Sequence, residues 1–66
     1  MAADVQVHSV DLFHHASLFL WRASADDIEY ERQALEATYR VKLAPWSIEA
    51  VTRSGAPCTR VTWEVV

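Results

Sequence analysis

Residues 24–40 read SADDIEYERQALEATYR, and the fold turns on whether this stretch is a helix. Ser24 followed three residues later by Asp27 has the form of a capping box: the hydroxyl can accept from the Asp27 backbone N–H, and the carboxylate can reach back. On a helical wheel Ile28, Leu35 and Tyr39 share one narrow sector, with Tyr30, Ala34, Ala37 and Val41 beside it. Asp26, Glu29, Gln33, Glu36 and Arg40 form the opposite stripe. Arg40 and Lys42 stand where cations suit the negative end of the dipole, and Pro45 sets the limit beyond which no helix runs. The pattern predicts one amphipathic helix.

Downstream, SGAP at 54–57 predicts a hairpin turn in which Arg53 faces Cys58. That register sets Ile48 opposite Trp63, Ala50 opposite Val61 and Trp46 opposite Val65 on one apolar face, with Glu49 against Thr62 and Val51 against Arg60 on a wetter one. Upstream, VQVHSVDLF alternates through Val5 and Val7 and then changes phase to Val10 and Leu12, which predicts a strand with a bulge near Ser9. LFLWRA is apolar on both faces, as a central strand would be, with HHA at 14–16 as the connection. That connection lacks Gly and Asn, so a helix through DLFHHASLFLW is the competing reading. The strand reading gives the order β-β-α-β-β: an α+β two-layer sandwich with one helix packed on one face of an antiparallel sheet, as a single domain over residues 1–66.

A chain of 66 residues buries only about 60% of the surface its unfolded form exposes, so a core and a separate enclosed reaction chamber do not both fit. A hydrophobic fraction of 52% with one Gly and two Pro is that of a folding chain. The start MAADVQVHSV has neither the basic opening nor the apolar run of a secretory signal, and Cys58 is the only cysteine, so a reducing cytoplasm is expected. The longest purely apolar run, LFLW at 18–21, is far short of a membrane span. Five arginines to one lysine, with many Ala and Val, fit coding by a GC-rich bacterium or its phage.

Catalytic chemistry finds no foothold in the pattern. His8, His14, His15 and Cys58 have no metal-ligand spacing, and no metal or other cofactor is expected. Cys58 reads as a structural thiol, its one evident cationic neighbour being Arg60. Glu29 and Glu36 lie two turns apart on a solvated face, without a cleft to tune them. No phosphate loop and no nucleophile elbow is present, so the expectation is a non-enzyme. Of the three tryptophans, Trp46 and Trp63 are assigned to the core by the hairpin register. Trp21 lies on the strand that is apolar both ways, so either Phe19 and Trp21 or Leu18 and Leu20 must look away from the helix and need a cover.

The charge is local. Net charge is −3, which speaks against a nucleic-acid binder, yet Asp26, Asp27, Glu29, Glu31 and Glu36 crowd one stretch against Arg32 alone. The helix dipole accounts for Asp26 and Asp27, and Arg40 at i+4 accounts for Glu36, while Glu29 and Glu31 are left over. A solvated face kept acidic for solubility is the plain reading, and a surface imitating nucleic-acid phosphate the functional one. WRASADDIEYERQALEATY followed by WSIEAVTR has a strand, capped-helix and strand rhythm that, over residues 16–54, resembles small bacteriophage-encoded inhibitors of host machinery, among them anti-CRISPR proteins and phage inhibitors of bacterial RNA polymerase. The resemblance implies a non-enzymatic inhibitor in the bacterial cell that occludes a host protein or nucleoprotein complex; the charge and the short apolar runs add the expectation of no direct nucleic-acid binding and no membrane. The expected contact is Asp26, Asp27, Glu29, Glu31, Glu36 and Trp21. The rival is a phage or mobile-element assembly factor acting as a homodimer through the Trp21 face.

Overall fold

The computed structural model describes residues 4–66. Four antiparallel strands form one sheet: β1 (Asp4–Asp11), β2 (His15–Trp21), β3 (Leu43–Arg53) and β4 (Ala56–Val65). Helix α1 (Ala25–Tyr39) joins the two hairpins, giving the order β-β-α-β-β and the α+β arrangement expected. The spatial strand order is β1-β2-β4-β3, so β2 and β4 are central and β1 and β3 are edges.

Alternation explains which side chains meet. On β2, Ala16, Leu18 and Leu20 point toward α1 and meet Val61 and Trp63 of β4 and Leu43 of β3 in the buried core. Ile28 and Leu35 of α1, with Ala23 and Val41 at its ends, close over that cluster, although no residue of α1 is itself fully buried. Tyr30 and Tyr39 stand exposed: Tyr30 is turned about 160° from Ile28 around the helix and so does not belong to the apolar side assigned to it, and Tyr39 is the last helical residue, past the core contact of Leu35. Ser24 builds both halves of the capping box with Asp27. The helix stops at Arg40, whose backbone is left-handed (φ 55) and whose N–H turns back to the Glu36 carbonyl. Termination therefore comes before Pro45, which lies in β3.

The β1–β2 pairing disposes of the helical alternative for residues 11–21 and puts the bulge between Val7 and Ser9, with His8 as the extra residue. The connection is Leu12–His14, not 14–16: His15 and Ala16 already pair within β2. Asp11 supplies the turn chemistry that Gly or Asn would otherwise provide. Its carboxylate accepts from the Phe13 N–H at 3.0 Å and bonds the His14 ring at 2.7 Å, which holds its pKa below the ordinary carboxylate value.

The C-terminal hairpin is present in a register two residues from that expected. The turn is the two-residue pair Ser54–Gly55, both at positive φ (51 and 78), a primed turn whose twist matches the strands. Arg53 faces Ala56 rather than Cys58, Ile48 faces Val61 rather than Trp63, Ala50 faces Thr59, and Glu49 faces Arg60. A slip of two keeps every side chain on its intended face. Trp46 is the exception: a second bulge between Pro45 and Ser47 drops it out of the core, and it is 63% exposed while Trp63 is buried as expected.

Candidate binding surface

The acidic stretch is the first surface the sequence singles out, and the structure divides it. Asp27 belongs to the capping box, where bonds from the Ser24 N–H and hydroxyl lower its pKa. Glu29 accepts a two-pronged contact from the Arg32 guanidinium and a further bond from Gln33, and the Arg32 bonds are the main reason its pKa falls to about 2. Glu36 pairs with Arg32 at 2.8 Å and accepts from the Leu43 backbone N–H at 2.7 Å, so it ties α1 to β3 and is not the partner of Arg40 that the i+4 spacing suggested. Asp26 and Glu31 have no ion pair among the described residues. Five carboxylates therefore stand against Arg32, with Asp27, Glu29 and Glu36 held in place by internal bonds.

Trp21 lies away from these acids. Leu18 and Leu20 face the helix, so Phe19 and Trp21 look out from the sheet's other side. That side covers itself. The Arg53 guanidinium carbon sits 4.2 Å from the Phe19 ring centre and its Nη2 reaches Gln6 on the opposite edge at 3.4 Å. His8, the bulge residue, tilts over the same ring at 4.7 Å, leaving Phe19 only 4% exposed and Trp21 half-buried beside it.

Farther along the same face lies a shallow hollow of about 330 Å³ that sequence reasoning missed, lined by His8, His15, Trp46, Arg60 and Thr62 among others. Trp46 reaches it only because of the second bulge, for which Pro45 was the one local hint. Five of its polar side chains are engaged: Arg60 with Glu49, Ser17 with Thr62 at 3.1 Å, and the His15 ring with Ser9 at 3.0 Å. Ser9 and His15 have the spacing of a nucleophile and its base. The Asp11 carboxylate, in register with His15 across the hairpin, is bound to His14 and Phe13. Among the described residues no three His, Cys, Asp or Glu side chains gather as metal ligands, and Cys58 is buried. No helix among the described residues is long and apolar enough to cross a membrane.

The outer edge of β3 is a third surface. Ile48 is 65% exposed there and borders a slot of about 110 Å³ between β3 and α1, walled by Ile28, Glu29, Arg32 and Trp63. Compared with known proteins, the chain matches no family model, no curated protein and no solved structure.

Proposed function

We propose that this chain is a non-catalytic inhibitor, of the kind encoded by phages, that occupies the basic groove of a bacterial nucleic-acid-handling protein. The observation that carries the reading is the cluster of five carboxylates on α1, Asp26, Asp27, Glu29, Glu31 and Glu36, three of which are held by bonds within the chain. Its carboxylates are exposed or half-exposed, and bonds within the chain hold the pKa of Asp27 below the ordinary value and that of Glu29 at about 2. Charges held at set spacings on a rigid element act on a groove that binds phosphate much as a phosphate row does, steering encounter and excluding the nucleic acid. The homodimer through Trp21 draws less support, since Arg53 and His8 already cover Phe19 beside it.

The test is capture from bacterial lysate with duplex DNA as competitor. The wild-type chain is expected to retain a nucleic-acid-handling protein, to lose it as DNA or salt is added, and to lose it with Asp26→Lys and Glu31→Lys, the two acids of α1 without an ion pair among the described residues. Capture that is indifferent to both reversals and to salt would sink the acidic-face reading.

A further inference from the structure

The unpaired edge of β3 and the slot beside it lie along the same side of α1 as part of the acidic stripe. In a hairpin closed by the two-residue turn Ser54–Gly55, Arg53 and Ala56 form a hydrogen-bonded pair, and such pairs recur at every second residue. Arg53, Val51, Glu49 and Ser47 therefore bond toward β4, and the N–H and C=O groups of Ile48, Ala50 and Thr52 point outward. No strand among the described residues meets them. Edges are ordinarily blunted by bulges, proline or charge. β1 has its bulge at His8, and β3 is blunted by Pro45 and the Trp46 bulge only at its start. From Ser47 to Arg53 the edge is regular.

We infer that this edge receives an extended segment of the target protein as a fifth strand, and that the segment is cationic. This rests on the proposed function and names the form in which the partner arrives. A strand laid against β3 places the side chain opposite Ile48 on the helix face, at the slot between Ile28 and Trp63, where one branched aliphatic group fits. The next side chain on that face, opposite Ala50, comes alongside α1, whose slot side carries Glu29 and, one turn earlier, Asp26. On the reverse face, the side chain opposite Glu49 meets a carboxylate that is half exposed despite its pairing with Arg60. On the helix side Asp26 and Glu29 stand beside Arg32, which Glu29 and Glu36 already hold, while on the reverse side Arg60 is taken by Glu49 and Arg53 is drawn over Phe19. An apolar residue flanked by lysine or arginine matches the groove, and an acidic segment is repelled.

Two synthetic peptides test the inference, one with a single valine set between pairs of lysines and the other with the same valine between pairs of glutamates, so that the positions opposite Glu49 and Ala50 both carry the charge. The lysine peptide is expected to bind and to slow hydrogen exchange at the Ile48, Ala50 and Thr52 amides, and the glutamate peptide to do neither. Ala50→Pro removes an outward N–H that β4 does not use, so circular dichroism should be retained while affinity falls at least about tenfold. Ile48→Lys, at a site already exposed, gives the same loss by a second route. Equal binding of the two peptides, unchanged exchange at those three amides, or binding that survives both substitutions overturns the inference. So does protection of the same amides without peptide at twice the monomer mass, which would make the occupant a second copy of this chain. Should lysate capture persist in Ala50→Pro yet vanish with Asp26→Lys and Glu31→Lys, the acidic-face function stands and strand addition is wrong.

Discussion

Glu29 shows how a single exposed side chain couples charge to the fold. The Arg32 guanidinium, helped by Gln33, holds its pKa at about 2 against an ordinary 4.5. A carboxyl whose folded pKa is depressed contributes its full stability above the unfolded value and loses it as pH falls through the folded one. The urea midpoint is thus expected to decline between pH 4.5 and about 2, and Glu29→Gln to flatten that part of the profile. Asp27 adds to the decline in the same direction through Ser24. At this scale the sequence was readable where partners are close in the chain, as for Ser24 and Asp27. It was not readable where they are distant or compete: Glu36 takes Arg32 and the Leu43 N–H over Arg40, because Arg40 has left the helix at a left-handed cap.

Among the elements, the hairpin turn decides the register of everything downstream. Gly55 sits at φ 78 with open space where a Cβ would go, so Gly55→Ala costs only its conformation, about 1 kcal/mol. Ser54 holds φ 51 without the side chain that primed turns favour, and Ser54→Asn should raise stability by roughly 0.5 kcal/mol. Chemical denaturation of the two variants, read side by side, checks both signs. Reading SGAP as four turn residues displaced the pairing by two, and faces survived because strand side chains repeat every second residue. The β1 bulge could be anticipated because the apolar phase breaks between Val7 and Val10. The β3 bulge breaks no such pattern: an apolar Trp46 looks equally at home in a core, and only the observed pairing reveals that it has turned outward.

For the molecule as a whole, 66 residues carry a total stability on the order of 3–10 kcal/mol. Leu20, wholly buried between α1 and the central strands, is expected to cost about 2–5 kcal/mol as Leu20→Ala, enough to blur or abolish the thermal transition. Val7→Ala, on the same sheet face but 59% exposed, should shift it by less than about 0.5 kcal/mol. Layer architecture was legible from the order of periodic segments. The self-covering of Phe19 was not, since it joins Arg53 of one edge strand to His8 and Gln6 of the other, more than forty residues apart. The acidic stripe was legible as composition, whereas the open β3 edge emerged only once strand order was known.

That strand order has a mechanical corollary. Each hairpin is local in sequence, and the sheet contact between the two is the single seam of β2 against β4. Damage to an outer strand frays a rim, while damage to the seam parts the molecule into two ribbons on a helical tether. A chain severed between α1 and β3 would leave both strands of each ribbon on one piece, and the pieces would have to find each other again through that line of residues and the face of α1 that closes over it.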